Sequence, residues 1–405
     1  MTAGSDDPQW AARLAARLAD AEAAGLRRDI DRPDPSGPDR IDLRANDYLG
    51  LRRHPRIAAA LANGASGAGA SRLVRDDDAN RALERRLARF KGRETATMLP
   101  TGYMANLAAL MAVVGPNDLI LLDRLSHASL LDGARLVASM TPGVTWRTFP
   151  HNDATRAEAI ARRRMGRLQD GEGGGVVLVT ESVFSMEGDL GAIAALGGVR
   201  DRLAAAGRSA CLLLDEAHAT GVVGPGGAGW DAACGGVADV LVATAGKALG
   251  VMGGFVCGGG VLREGLATFA RPLMYSTGPM PSQVSAIDAA LDVLRDEPER
   301  RDRLAAIVRE VRVGLSERGW RVASDSPTPI VPLIVGASAA ATALSDRLAA
   351  CGVLAPAIRP PTVPRGGARV RLSLHADLTD DAVARIITAC GSPDEAVAAR
   401  PTCAD

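Results

Sequence analysis

From about residue 95 onward the chain alternates short apolar runs with stretches of helical period, and this alternation sets the class of fold. The apolar runs lie at 119–122, 176–180, 210–215, 240–244 and 254–257. Such runs lack a polar face and read as strands buried on both sides. Helical stretches at 155–168 and 193–205 separate several of them, so the strands are expected to be parallel, with helices on both faces of one sheet. The expected class is α/β, with a mostly parallel sheet between helices in a large domain over 46–290. One or two long helices are expected within 283–318. Strands near 330–334 and 369–374, with helices near 338–351 and 380–390, predict a smaller α+β domain over 291–395. Residues 1–45 read as a helical arm, with Trp10, Leu14, Leu18 and Leu26 at helical spacing, and then a Pro-rich linker near 32–38. Residues 396–405 read as a tail, with fraying from Gly391 onward.

Composition removes several function classes. Lys+Arg and Asp+Glu both number 47, and a chain without basic excess carries no electrostatic footprint for nucleic acid or an anionic membrane. The opening MTAGSDDPQW has no basic n-region and no long apolar run, so it is not read as a signal peptide. No stretch approaches the roughly 20 apolar residues of a membrane span. The six cysteines form no Cys-x-x-Cys pair and read as reduced thiols of a cytoplasmic protein. None of the five histidines stands in metal-ligand spacing with cysteine. Only two of the 47 basic residues, Lys91 and Lys247, are lysines. Chemistry that needs a primary amine therefore has two candidates.

Lys247 follows the apolar run 240–244 within Ala245-Gly246-Lys247-Ala248-Leu249-Gly250. It is either a surface lysine in a glycine turn or an amine pointing into the crevice where open α/β sheets bind ligands. In the second case desolvation lowers its pKa and frees a nucleophile, able to form an imine with a carbonyl cofactor. Lys91, in Arg89-Phe90-Lys91-Gly92, reads as an exposed helix end with a glycine cap. Asp215 ends an apolar run. It is either a helix cap or a carboxylate paired with a cationic ring nitrogen, since an unpaired acid there is costly. His218, three residues on, is an incidental core histidine or a neighbour of the same ring. His127, in Ser126-His127-Ala128-Ser129, either accompanies a helix cap or stacks on a planar group. Thr101-Gly102-Tyr103 opens a helix whose free N–H groups suit a phosphate. Thr244, and the hydroxyl-rich turn at Ser276 and Thr277, are candidates for the same phosphate. Ser185 follows the run 176–180 as a turn serine or a polar contact to the ligand. Arg359 lies on the stiff segment Arg359-Pro360-Pro361, as a solvated arginine or a bidentate carboxylate anchor.

Taken in order, the motifs Asn46-Asp47-Tyr48-Leu49-Gly50-Leu51, Gly67-Ala68-Gly69-Ala70-Ser71-Arg72, Ser126-His127-Ala128-Ser129, Val183-Phe184-Ser185-Met186-Glu187-Gly188-Asp189, Asp215-Glu216-Ala217-His218, Thr244-Ala245-Gly246-Lys247 and Ile358-Arg359-Pro360-Pro361-Thr362-Val363-Pro364 resemble those of the α-oxoamine synthase family. The resemblance implies the fold type I of pyridoxal 5'-phosphate (PLP) enzymes, acting as a homodimer with sites at the interface. It implies that Lys247 carries PLP, His127 stacks on the ring, Asp215 pairs with the ring nitrogen, and His218 and Ser185 flank the ring hydroxyl. Thr101, Gly102, Tyr103 and Thr244 would hold the phosphate, joined by Ser276 and Thr277 from a second subunit. Arg359 would bind the amino-acid carboxylate, with Asn46 and Arg27 near the substrates.

Within the family, the form Arg-Pro-Pro-Thr-Val-Pro resembles that of the alanine-using members, and the resemblance implies a decarboxylative condensation of L-alanine with pimeloyl-CoA or a pimeloyl-carrier protein, the step that feeds biotin biosynthesis. A glycine-using relative, such as a 2-amino-3-oxobutyrate ligase (glycine C-acetyltransferase), is the sibling alternative. A PLP-binding protein without synthase activity is the alternative of another class. One segment departs from the family pattern. Residues 75–80 read Arg-Asp-Asp-Asp-Ala-Asn, one residue short, with Asn80 where the family carries a histidine. Three acids beside an acyl channel would bear on acyl specificity.

Overall fold

The structure is a computed structural model that describes residues 8–23, 27, 37, 39–166, 174–322 and 326–397. Most of the expected linker at 32–38, and the last eight residues of the expected tail, lie outside the described residues.

A seven-stranded sheet forms the centre. Its strands are β1 (Thr95–Leu99), β2 (Leu119–Asp123), β3 (Thr145–Phe149), β4 (Val176–Glu181), β5 (Ala210–Asp215), β6 (Val240–Thr244) and β7 (Gly254–Gly258). Their order is β1-β7-β6-β5-β4-β2-β3, and only β7 runs against the others. Alternate side chains feed two apolar layers. Leu119, Leu121, Leu178, Leu212 and Leu214 enter one layer; Ile120, Leu122, Val177, Val179 and Leu213 enter the other. Burial on both faces explains why these strands read as continuous apolar runs. Helices Gly102–Val113, Ala128–Met140 and Gly260–Phe269 cover the second layer; Asp78–Phe90, Ala154–Met165, Ile193–Ala205 and Pro281–Asp296 cover the first.

Two strands of this sheet escaped the sequence pattern. β3 is an edge strand paired only with β2, and its Arg147 and Thr148 are exposed, so no apolar run marks it. β1 carries Thr95 and Thr97, which dilute its apolar signal. The helical stretch at 283–318 is two helices, Pro281–Asp296 and Glu299–Glu317, divided at Pro298, where proline's missing N–H interrupts the ladder.

The C-terminal unit has an antiparallel three-stranded sheet of Ile330–Gly336, Ala357–Ile358 and Ala368–Ser373, with helices Ser338–Ala350 and Asp380–Cys390. Within the expected arm and linker, Ile41–Asp42 is a strand that pairs with Val353–Leu354, tying the segment before Asn46 to this unit. Beyond Gly391, where fraying is expected, a short helix Pro393–Val397 follows. No helix among the described residues is long and apolar enough to cross a membrane.

Candidate active site

Five parallel strands deliver one segment each to the same edge of the sheet. β1 leads to Gly102, β2 to His127, β4 ends at Glu181, β5 ends at Asp215 and β6 leads to Lys247. The carboxyl ends of strands in open α/β sheets are where crevices form. Here they enclose a cavity of about 190 Å³ lined by Gly102, Tyr103, Asn106, His127, Ser129, Glu181, Asp215, Ala217, His218, Thr244 and Lys247, among others.

Lys247 enters the cavity from the turn after β6. Burial, opposed chiefly by the Asp215 carboxylate, lowers its amine to about 8. Asp215 is buried, and its carboxylate accepts from the Ala217 N–H at 2.8 Å and from Asn106 Nδ2 at 2.7 Å. Asn106 Nδ2 also donates to Ser129 Oγ at 2.8 Å, and that hydroxyl lies 2.8 Å from His127 Nδ1. A chain of hydrogen bonds thus runs from Asp215 to His127. Partial burial lowers the pKa of His127, so a neutral ring stands at the mouth. His218 is buried against Tyr48, with its Nδ1 2.6 Å from the phenol oxygen. Burial, reinforced by Lys247 and Arg371, holds it well below the ordinary histidine value.

Glu181 lies beside Asp215 in register on the neighbouring strand and accepts from the His127 N–H. Burial and the Asp215 charge raise it well above the carboxylate range. Two adjacent buried carboxylates resist ionising together, so Glu181 is the neutral member.

Apart from Thr244, the other expected residues sit outside the cavity wall. The Thr101 hydroxyl caps helix Gly102–Val113 through Met104 N at 3.2 Å. The Thr244 hydroxyl, on the wall, donates to Gly253 O at 2.6 Å, so it reaches a phosphate as a donor only by turning. Asn46 Oδ1 and the Ser185 carbonyl both accept from Arg371, at 2.6 and 3.1 Å. Arg359 is half-buried, with its Nε shielded and lacking a partner. Arg27 is exposed and pairs with Glu22 at 2.5 Å. The Ser276 hydroxyl donates to Pro272 O, and Thr277 is exposed.

The structure corrects one reading outright. Lys91 does cap helix Asp78–Phe90 beside Gly92, at φ 63°, but its side chain is wholly buried rather than exposed. Its ammonium donates to Glu216 Oε2 at 2.7 Å, Thr220 Oγ1 at 2.9 Å and Ala228 O at 2.6 Å. Glu216 also accepts from Ser182 Oγ and Asp231 N. A buried carboxylate demands such partners, and this one adjoins Asp215. Lys91→Met is expected to cost about 3–5 kcal/mol of stability by stranding that carboxylate. Urea unfolding checks it: Lys91→Met with Glu216→Gln should recover most of the loss, and a single variant as stable as wild type refutes the pairing.

Sequence reasoning also missed Glu181, Asn106 and Arg371. Glu181 had a signal, an acid ending an apolar run as Asp215 does. Arg371 is buried in Ala368–Ser373 and bonds Asn46, Ser185 and Ser373. The departure at 75–80 finds local partners. Asp76 pairs with Arg72 and Arg81, Asp78 pairs with Arg81, and Asp77 caps helix Asp78–Phe90 through Asn80 N at 2.9 Å.

The family model for aminotransferase class I and II matches residues 38–389. The chain belongs to this family. Its enzymes are PLP-dependent, with fold type I. An 8-amino-7-oxononanoate synthase of Pseudomonas putida is 42% identical, over 93% of this chain and 96% of that protein. A serine palmitoyltransferase of Sphingomonas wittichii superposes with a TM-score of 0.82 at 28% identity, over 97% of this chain and 99% of the other. An 8-amino-7-oxononanoate synthase of Francisella tularensis has a TM-score of 0.71 at 26% identity, over 88% and 97% of the two chains. The α-oxoamine synthase resemblance stands on these relatives.

The cavity fits PLP. An amine, a carboxylate and a helix N-terminus face one space. A side chain at Gly102 would come within 3.1 Å of Thr244, so glycine keeps the approach to the helix N–H groups open.

Proposed function

We propose that the chain is a decarboxylating C-acyltransferase that joins L-alanine to a pimeloyl thioester, on CoA or a carrier protein, in biotin biosynthesis. The products are 8-amino-7-oxononanoate, CO2 and the free thiol. The near full-length likeness to 8-amino-7-oxononanoate synthases carries this reading. We place the protein in the cytoplasm as a homodimer, with Ser276 and Thr277 reaching the partner's phosphate site.

In this reading Lys247 would hold PLP covalently, Asp215 would keep the ring nitrogen protonated, and His127 would stack on the ring. Gly102 and Tyr103 would offer N–H groups to the phosphate, while His218 and Ser185 would serve the ring hydroxyl. When bound, PLP supplies a cationic ring that stores the electron pair left at the amino acid's Cα. Lys247 Nζ, tuned to about 8 by burial, takes the Cα proton and later returns one, a role that suits a base near operating pH. Holding both reactants at one edge of the sheet can supply roughly 7–11 kcal/mol of barrier reduction.

The reading is tested by thiol release and ketone formation with acyl-CoAs of increasing chain length, each with alanine and with glycine. Highest kcat/KM for pimeloyl-CoA with alanine is the expected result. A preference for glycine and a short acyl group would assign the sibling reaction, and no thiol release with any pair would refute synthase activity.

Two arginines compete for the amino-acid carboxylate. Arg359 is the anchor expected from the motif, and Arg371 lies on the neighbouring strand beside Asn46. Arg359→Ala is expected to weaken alanine binding roughly ten- to a hundredfold, the loss of one charge-assisted hydrogen bond of about 1.5–3 kcal/mol. Arg359→Lys should recover only part, because an ammonium lacks the fork. Spectral titration of the PLP form with alanine and with ethylamine is the check. Equal losses for both ligands in Arg359→Ala, with an alanine-selective loss in Arg371→Lys, would move the anchor to Arg371.

A further inference from the structure

His151 lies outside the cavity wall, yet it touches the roots of two segments that build the site. Its Nδ1 is 3.1 Å from the Asp123 carboxylate, and its Nε2 is 2.8 Å from Asp189 Oδ2. Asp123 ends β2 and is fully buried. Its carboxylate accepts from Leu125 N at 2.9 Å and its carbonyl from Ser126 N at 3.0 Å, forming the turn that presents His127. Asp189 closes a small hairpin. Its carbonyl accepts from Phe184 N at 3.1 Å, and Val183 bridges to Leu190. Ser185 sits at the hairpin tip, where Arg371 grips its carbonyl and Arg369 grips Met186 O at 2.7 Å. Asn152 repeats the link one residue on: its N–H donates to Asp123 at 2.8 Å and its Nδ2 to Leu190 O at 3.0 Å. Phe184 packs edge-on against the His151 ring, centroids 4.4 Å apart.

We propose that His151 is a positioning residue: as an imidazolium it cross-links the His127 turn, on the cavity wall, to the Ser185 hairpin beside it and so fixes the distance between the two segments. Both its ring nitrogens face carboxylates, and two such contacts are both satisfied as donors only when the ring is protonated. The charged groups facing it are Asp123 from the β2 end and Asp189 and Glu187 from the hairpin, with Arg369 of the small sheet bonded to Glu187. Burial works against the cation, but Asp123 and Asp189 outweigh it and hold His151 at about 9, above the ordinary 6.5. A raised value means the cross-link is complete below about 6.5 and is lost as pH rises through about 9. Above that pH the base of the hairpin keeps only the uncharged Asn152 link to Asp123 and Leu190 O, and the spacing between His127 and Ser185 is held less tightly. A displacement of about 1 Å at reacting groups can cost on the order of a hundredfold in rate.

The rate arm of the test rests on the proposed condensation; the exchange arm does not. His151→Gln removes the charge, and His151→Arg makes it permanent. In the PLP-loaded enzyme, kcat for wild type should fall as pH rises through about 9. His151→Gln should be about ten- to a hundredfold slower at neutral pH and should lose that limb. His151→Arg should keep most of the neutral-pH rate and remain active beyond it. Hydrogen exchange, read with and without PLP and without substrate, should quicken in His151→Gln at 124–130 and 184–190 while the rest of the chain is unchanged. Unaltered exchange in both segments, faster exchange throughout the chain, or an unshifted alkaline limb in His151→Arg would each overturn the proposal. If another thioester proves to be the substrate, the pH series is run with it, and the exchange result stands independently of that assignment.

Discussion

Lys247→Ala is expected to abolish turnover and covalent retention of PLP while leaving the fold intact. Lys247 is the one lysine on the cavity wall; the other, Lys91, is committed to Glu216 behind it. Burial lowers the Lys247 amine to about 8, so near neutral pH a usable fraction is uncharged and nucleophilic. Alanine removes both the covalent attachment and the base at Cα. Loss of a positioned base alone typically costs about 10²–10⁴-fold. Borohydride reduction of the PLP form followed by peptide mapping should place the label on Lys247 in wild type and nowhere in Lys247→Ala. The variant should still bind PLP weakly, through the helix N-terminus and Asp215, visible as absorbance removed by gel filtration. Full turnover in Lys247→Ala, or a label on Lys91, would overturn the assignment. Lys91 also makes an informative control: its loss should show in unfolding rather than in the position of the label.

The sequence carried the sheet where strands are buried on both faces and bounded by polar residues. Ala210–Asp215 and Val240–Thr244 have the expected limits because Asp215 and Thr244 end apolar runs that enter both core layers. Thr145–Phe149 was invisible because an edge strand satisfies its exposed side with water, and Arg147 and Thr148 hide its period. Residues near the cavity were legible when their neighbours in sequence were also their neighbours in space. Gly102, His127, Asp215, His218, Thr244 and Lys247 all follow or end an apolar strand, and the sheet brings these ends to one cavity. Lys91 was misread because its partner Glu216 is 125 positions away, and no local pattern reports such a pairing. Arg371 has a local signal, since Arg369 and Arg371 alternate with Val370 and Leu372 along one strand. That signal is weak among 45 arginines, and only the contacts to Asn46 and Ser185 distinguish it.

Asp215→Asn is expected to retain PLP and lose most of the rate. The amide keeps the size of the carboxylate but carries no charge, so it cannot hold a ring nitrogen protonated. Each pKa unit of lost differential stabilisation is about 1.4 kcal/mol, or tenfold in rate, so a loss of about three units is roughly a thousandfold. The contacts around Asp215 predict a second effect. Its two oxygens accept from Ala217 N and Asn106 Nδ2, so an asparagine in either orientation sets its NH2 against one of these donors. Asn106 can relieve the clash by flipping, because its own Oδ1 is buried and without a partner. The flip would withdraw the donor that Asn106 gives Ser129, which lies 2.8 Å from His127 Nδ1. The disturbance should therefore reach the His127 ring, two hydrogen bonds beyond Asn106. NMR of the histidine ring nitrogens should show His127 shifted in Asp215→Asn while His54, remote from this chain of bonds and paired with Glu297, stays in place. Adding Asn106→Ala should leave the rate of Asp215→Asn almost unchanged, since the two share one path and their effects do not add. Near-normal turnover of Asp215→Asn would show that the ring nitrogen lies elsewhere. A large drop with His127 unmoved would keep Asp215 as the ring partner and remove the hydrogen-bonded chain from its action.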